Sequence, residues 1–562
     1  MAMTEGPLVS VRDLTYWYPE TSSPALEDVN LEFGPGEFVL LVGSSGSGKS
    51  TLLRALNGLV PRYHGGRYRG RVEVDGVMAS GGPSSQLAAT VGLVFQDPER
   101  QSVMSRVDNE VAFGLECLGA PSDEIGPRVM EALVSVGLAD RASDMVSELS
   151  AGQAQRLALA DVLAMGPRVL ALDEPTSQLD PGTAEEFLTY LDRERRRAGT
   201  TVLLAEHRLD RGLQMADRVV VLSKGRVVLD GTPSEFLNDG WSNGEEMPTP
   251  TLAEVFREHG PVPKGPDEAG RLLRDLQSLG RLEIVKDRGS PSGETLVECQ
   301  DVHYAYQPGS EVLRGADLDI HGGEVLVLVG PNGSGKTTLA RHLNGLLRPS
   351  KGRVLIDGEE TTEMPVARLS GEVALLTQNP GDYLFERTVD RELRLTAAYR
   401  GLEGDEANME VDRLRDRLGL WPYMERFSWD LSAGQRQRVA LGALMVGAPR
   451  VMVLDEPTRG MDTSHKASLA GMLRELAAEG KAIMVITHDQ EFAARVADRY
   501  AVLEDGRVTV TGAPWEVFQE RPVYAPILWR ATETLDLAPE GRPLVPDDLD
   551  IGIRRPAGGG AW

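Results

Sequence analysis

Apolar positions along this chain gather in short unbroken runs that end in glycine or in acid. Phe38-Val-Leu-Leu-Val42 and Val325-Leu-Val-Leu-Val329 run straight into Gly43 and Gly330, whereas Leu170-Ala-Leu-Asp173 and Met452-Val-Leu-Asp455 close on carboxylate pairs with Glu174 and Glu456. Runs of five or six apolar residues without alternation predict strands buried on both faces, as in a parallel sheet covered by helices. None approaches the ~18–20 apolar residues that span a bilayer. The chain begins Met-Ala-Met-Thr-Glu, with neither a basic nor an apolar leader, so no secretory signal and a cytosolic protein are expected.

The pattern occurs twice. GSSGSGKST at 43–51 returns as GPNGSGKTT at 330–338, 287 residues on; FQDP at 95–98, LSAGQ at 149–153 and LALDEPT at 170–176 each return 282 residues on. One order at nearly one spacing is a tandem duplication. The change of offset places a five-residue insertion between Asn57 and Arg71, where GLVPRYHGGRYRG stands against GLLRPSKG. A lengthened solvated loop is the expected reading there, with a nucleotide or lipid contact as the alternative.

A length of 562 residues exceeds a single core of ~250–300. The repeat predicts domains at 8–238 and 296–520, a Pro-rich acidic linker at 239–295 with a short helix over 269–279, and a C-terminal tail at 521–562, poorly packed beyond about Leu535. Acidic residues outnumber basic ones 85 to 59, for a net charge of −26, which argues against nucleic acid as a partner. Cys117 and Cys299 are too few for a disulfide framework or a four-thiolate zinc site.

A strand entering G-x-x-x-x-G-K-[ST] and leaving as a helix is a phosphate cradle. Its glycines let consecutive N–H groups point inward, and the helix adds the positive end of its dipole. In the first half Gly43, Ser44, Ser45, Gly46, Ser47, Gly48, Lys49, Ser50 and Thr51 form the candidate loop; Gly330, Pro331, Asn332, Gly333, Ser334, Gly335, Lys336, Thr337 and Thr338 form the second. Lys49 and Lys336 are expected on the terminal phosphates, and the Ser50 and Thr337 hydroxyls on Mg²⁺. Asp173 and Asp455, at the ends of buried strands, are expected to hold Mg²⁺ through water. Glu174 and Glu456, one residue further, are the candidate general bases for an attacking water. The residues alone therefore predict two Mg-dependent nucleoside triphosphatase domains.

The motif set resembles the ATP-binding cassette (ABC) ATPases over nearly all of both halves. LSAGQ is similar to the family signature LSGGQ, with Ala151 and Ala433 in place of the first glycine. The resemblance implies an α/β fold of two tandem P-loop ABC nucleotide-binding domains, each with a RecA-like parallel-sheet core, an antiparallel β subdomain and a helical signature subdomain. It implies ATP and Mg²⁺ as ligands and two composite sites between the paired halves. In these, Ser150, Gly152 and Gln153 face the ATP on Lys336, and Ser432, Gly434 and Gln435 that on Lys49. Gln96 and Gln378 match the Q-loop glutamine at Mg²⁺ and water, and His207 and His488 the switch histidine. Asp180 and Asp462 match the D-loop aspartate, and Tyr18 and Tyr306 the aromatic that stacks on adenine. The first switch departs from the usual Thr-His, reading Ala-Glu206-His207, which questions equal rates at the two sites.

QDPERQ at 96–101 and EHRLD at 206–210 resemble fused A-components of energy-coupling-factor importers. The second half has Tyr383 where that pattern has Gln. This resemblance implies a peripheral ATPase on the cytoplasmic face of the cell membrane. Its partners in trans would be a transmembrane T-component and an S-component that binds a vitamin or transition-metal ion, with no direct contact between this chain and the cargo. Asp97, Glu99, Asp382 and Glu386 are candidate docking carboxylates for an arginine on the partner's coupling helices. A tandem soluble ABC ATPase acting on the ribosome would carry a long charged helical arm, unlike this Pro-broken acidic linker. Another ABC importer class is the remaining alternative, while excision repair, with its Cys-rich zinc modules, is excluded.

Overall fold

The computed structural model describes residues 6–44, 46–95, 101–149, 151–177, 179–206, 208–239, 249–284, 293–431, 433–459, 461 and 463–551. The chain divides into two compact units between Arg281 and Leu282.

In the first unit the strands are β1 (Val9–Trp17), β2 (Leu26–Phe33), β3 (Phe38–Val42), β4 (Arg67–Val74), β5 (Val77–Met78), β6 (Val91–Val94), β7 (Val169–Asp173), β8 (Thr201–Ala205), β9 (Arg218–Ser223) and β10 (Arg226–Gly231). They form an antiparallel sheet in the order β2-β1-β4-β5 and a six-stranded sheet in the order β10-β9-β3-β8-β7-β6, parallel except for the edge pair β9–β10. All five residues of β3, β7 and β8 are buried, as their unbroken apolar runs require. Val39 and Leu41 share a core with Val9, Phe33, Leu52 and Leu56, which joins the central strand to the antiparallel sheet and to helix Lys49–Leu56. Helices Val107–Cys117, Ser122–Ser135 and Ala151–Ala164 form a helical subdomain between β6 and β7.

The second unit repeats this plan. Its strands are β11 (Leu282–Ile284), β12 (Thr295–Gln307), β13 (Ser310–His321), β14 (Val325–Val329), β15 (Lys351–Ile356), β16 (Glu359–Glu360), β17 (Val373–Leu376), β18 (Val451–Asp455), β19 (Ala482–Ile486), β20 (Arg499–Glu504), β21 (Arg507–Gly512) and β22 (Leu549–Ile551). The sheets run β13-β12-β15-β16 and β17-β18-β19-β14-β20-β21, with a small pair β11-β22. Helices Val389–Tyr399, Gly404–Arg417 and Ala433–Met445 match the first unit's helical subdomain. The fold is thus the α/β class expected, twice over.

Two segments differ from expectation. The tail is packed as far as Ile551: Trp529 is buried against Phe518 at 5.5 Å between ring centroids, and the Arg542 guanidinium lies over its ring at 5.1 Å. Leu544 and Val545 join the same core, and β22 pairs antiparallel with β11. The prolines here open 3₁₀ turns at Pro539 and Pro546 and do not signal disorder. The insertion is likewise not a purely solvated loop. Val60 within it is fully buried, and the Tyr16 hydroxyl donates to Gly65 O at 2.8 Å. In the linker the expected helix spans Pro266–Ser278, preceded by a second, Thr251–Phe256. Among the described residues no helix is long and apolar enough to cross a membrane.

Candidate functional site

The parallel register brings the ends of β3, β7 and β8 to one sheet edge, where open α/β sheets hold their ligands. Gly43 leaves β3 so tightly that a β-carbon there would stand 2.3 Å from Leu222 O; at Gly330 the distance to Leu503 O is 2.1 Å. Only glycine fits these turns, both with φ near +153°. The Lys49 ammonium donates to Gly43 O at 2.6 Å and Ser44 O at 3.1 Å, and Lys336 donates to Gly330 O and Pro331 O at 2.9 and 2.8 Å. Both lysines are buried. Desolvation lowers the pKa of Lys49, opposed by the charges of Glu174, Asp173 and Glu206.

Ser50 Oγ donates to Asp173 at 2.9 Å, and Thr337 Oγ1 to Asp455 at 2.5 Å. Gln378 also hydrogen-bonds the Asp455 side chain. Hydroxyl, amide and carboxylate oxygens side by side are the donors that a small hard cation such as Mg²⁺ takes. Ser47 Oγ and Ser334 Oγ, buried within the loops, find no hydrogen-bond partner among the described residues, as suits a cradle for phosphate oxygens. The residues present fit a magnesium nucleotide.

Glu174 and Glu456 take left-handed backbone conformations, with φ of 50° and 52°, costly for a residue with a β-carbon. Their N–H groups are pinned to Ala205 O (2.9 Å) and Ile486 O (2.8 Å) on the neighbouring strands, which fixes where each carboxylate leaves the sheet. In the second unit His488 Nε2 lies 3.0 Å from Asn332 Oδ1 and 3.6 Å from Glu456 Oε1. The loop, acid and switch residues of that half therefore meet. The Tyr18 hydroxyl lies 3.2 Å from Thr51 Oγ1 and accepts from Arg54, and Tyr306 lies 3.3 Å from Thr338 Oγ1. Each candidate base platform is tied to its phosphate-loop helix. Gly152 and Gln153, like Gly434 and Gln435, occupy the first turns of helices Ala151–Ala164 and Ala433–Met445. Asp180 caps helix Pro181–Ala198 through the Thr183 N–H. Ser45, Gln96, Asp97, Glu99, Ser150, His207, Ser432 and Asp462 lie outside the described residues.

Three features were not anticipated from sequence. Gln101 donates to Leu93 O (3.3 Å) and accepts from the Phe95 N–H (3.2 Å), closing the end of β6. Tyr383, 282 residues on, does the same with one hydroxyl, donating to Leu375 O (2.6 Å) and accepting from the Thr377 N–H (3.2 Å). The departure from the Gln pattern therefore conserves the bonding. Second, buried Glu110 accepts the N–H groups of Val103 and Met104, and buried Glu392 those of Phe385 and Glu386 at 2.8 and 2.7 Å. Each carboxylate fastens the loop leaving the site to the first helix of the helical subdomain. The signal available was Val107-Asp-Asn-Glu110 repeated as Val389-Asp-Arg-Glu392. Third, Glu206 is buried and accepts from both the N–H and the hydroxyl of Thr176, whereas Thr487 in the same place accepts from the Asp489 N–H at 3.1 Å.

Two phosphate cradles, each facing a strand-end carboxylate pair, define a nucleoside triphosphatase with two sites. The family model described as ABC transporter matches residues 26–177 and 313–459. A protein of Methanosarcina acetivorans named as an ABC transporter ATP-binding protein is 39% identical over 91% of this chain and 87% of its own length. One of Streptomyces coelicolor, named likewise, is 38% identical over 92% and 96%. A solved structure of cbiO1 from Clostridium perfringens, titled as part of the ABC transporter complex cbiONQ, is 33% identical, with a TM-score of 0.38, over 41% of this chain and 93% of that one. The chain belongs to the ABC transporter family: it is an ATP-binding subunit of a transporter and hydrolyses ATP with Mg²⁺.

Two outcomes are expected. Tyr383→Phe leaves Leu375 O and the Thr377 N–H short of a partner and should destabilise the protein by about 1–3 kcal/mol in denaturant unfolding. Tyr383→Gln, borrowing the first half's solution, should lose much less. Burial raises the pKa of Asp455, so its contribution to stability is full below the unfolded value of about 3.9 and is lost as pH rises through the folded value. Asp455→Asn should therefore raise the melting temperature of the nucleotide-free protein, more at pH 8 than at pH 5, while ATP hydrolysis falls.

Proposed function

We propose that this chain is the ATP-hydrolysing subunit of an importer of the energy-coupling-factor type, peripheral on the cytoplasmic face of the membrane. Its partners in trans are a transmembrane T-component and an S-component for a vitamin or a transition-metal ion. In each composite site Lys49 or Lys336 holds the terminal phosphates, and Tyr18 or Tyr306 the base. The signature residues Ser432, Gly434 and Gln435, or Ser150, Gly152 and Gln153, close it from the opposite half. Ser50, Gln96 and Asp173, or Thr337, Gln378 and Asp455, would hold Mg²⁺, which when bound neutralises phosphate charge. Glu174 and Glu456 take the proton of the attacking water, with His207 and His488 placed at the γ-phosphate. The halves at 8–238 and 296–520 then open after hydrolysis.

The observation that carries coupling to a partner is a cleft of about 260 Å³ between the helical subdomain and the core of the first unit. Leu93, Phe95, Phe113 and Met165 give it apolar walls, and Gln101 and Glu110, the two residues that fasten the loop leaving the site, also line it. Asp161 lines it too. Its Oδ1 is buried with no hydrogen-bond partner among the described residues, and its pKa is held well above the usual range by burial, then by Glu110. A buried carboxyl oxygen left so offers a hydrogen-bonding point to a polar side chain of a partner that enters the cleft. Asp161 is a better docking candidate than Asp382, whose two oxygens already accept from Asn379 (2.8 Å) and Thr377 (3.2 Å) within its own loop. Glu386 remains a candidate in the second half.

Glu174→Gln combined with Glu456→Gln should keep ATP binding but cut phosphate release by about 10²–10⁴-fold. Undiminished release would show that these glutamates are not the bases. Asp161→Asn, which keeps the shape of the buried side chain, should weaken co-purification with a co-expressed T-component while leaving ATP hydrolysis by the isolated chain intact. Unchanged co-purification removes this cleft from the interface.

A further inference from the structure

The five-residue insertion of the first half is not absorbed by any role above, and the structure shows where it goes. Its turn is held by the Tyr16 hydroxyl on Gly65 O and by Gly65 N–H on Pro61 O, each at 2.8 Å. Gly66 passes Trp17 with no room for a side chain, since a β-carbon would stand 2.1 Å from Trp17 O. This fixed turn delivers His64 to the ring of Tyr18, edge to face at 6.0 Å between centroids. Tyr16 closes on Tyr18 from another side at 4.9 Å, and Tyr63, 82% exposed, continues the row past His64 at 5.3 Å. Burial, then the nearby charge of Arg54, lowers the His64 pKa, so the imidazole stands neutral at physiological pH with one nitrogen donating and one accepting.

Among the described residues the second unit has the under-layer but not the wall. Tyr304 meets Tyr306 at 5.0 Å, as Tyr16 meets Tyr18. The connection there is the short GLLRPSKG, and Tyr306 is 52% exposed.

We propose that the 58–70 segment, lengthened by the insertion, is a base-recognition element, in which His64, with Tyr63 behind it, adds a second aromatic contact for the purine of the nucleotide bound at Lys49. The second half lacks this contact, so the two sites hold ATP unequally. The first site keeps its nucleotide longer, and the second exchanges it. This rests on Tyr18 and Tyr306 as the base platforms, and the test separates the two ideas.

The full-length chain carrying Glu174→Gln and Glu456→Gln is titrated with ATP and, separately, with inorganic tripolyphosphate, which offers the cradle phosphates without a base. Lys336→Ala isolates the first site and Lys49→Ala the second. With the first site isolated, His64→Ala should weaken ATP at least about 5-fold, the lower range for loss of one base–aromatic contact, and leave tripolyphosphate unchanged. With the second site isolated it should change neither. If His64→Ala has no effect on ATP while Tyr18→Ala weakens it, the inference is overturned and the platform stands. If neither substitution matters, both are overturned. Equal weakening of ATP and tripolyphosphate would assign the loop a structural role in the cradle and also overturn it. Shortening residues 61–65 to match the second half is the companion variant, expected to reproduce the His64→Ala result.

Discussion

The chemistry of each half depends on hydrogen bonding between parallel strands. β3, β7 and β8 pair in register, as do β14, β18 and β19, so three segments far apart in the chain end at one edge. The edge carries the loop lysine, the acid pair and the switch segment because strands of one direction must all finish on one side. The glutamates show how closely this is set. Each sits in a strained left-handed conformation held by an N–H bond to the next strand, so the carboxylate's exit is fixed by the sheet and not by its own loop. Apolar burial of the strands supplies the stability against which such strain, and the desolvation of two lysines and two aspartates, is tolerated.

The two halves are copies in scaffold and differ at particular side chains around it. Gln101 and Tyr383 satisfy the same backbone groups with different side chains, so the strand end constrains bonding and leaves the residue type open. Glu110 and Glu392 recur in both halves and give the buried N–H groups of the loop that leaves the site a partner on a helix. By contrast Asp161 faces Ala443 at the same repeat position, Glu206 faces Thr487, and the insertion that carries His64 has no counterpart.

Much of the candidate site was legible before the fold. The phosphate loops, the strand-end acids and the signature helices are contiguous motifs whose meaning lies in spacing along the chain, and among their described members the phosphate loops and strand-end acids stand at one sheet edge. The roles of Glu110 and Glu392 were not legible, because a buried glutamate in an amphipathic helix reads as a solvated one until the N–H groups it accepts are seen. The tail was misread for a related reason. Pro and Asp content described its composition, but Trp529 and Leu544 pack against residues of the second unit's core far earlier in the chain.

The sequence by itself determined the duplication, the buried parallel strands and the nucleotide chemistry, since each follows from local periodicity or from a motif short enough to fold on itself. Tertiary structure alone decided that a tyrosine does a glutamine's work at the end of β17 and that Asp161 Oδ1 lies buried with no hydrogen-bond partner among the described residues. It also decided that the inserted loop turns back onto Tyr18. These outcomes depend on which distant groups a side chain meets and how much water reaches it, and neither is written in the spacing of residues along one chain.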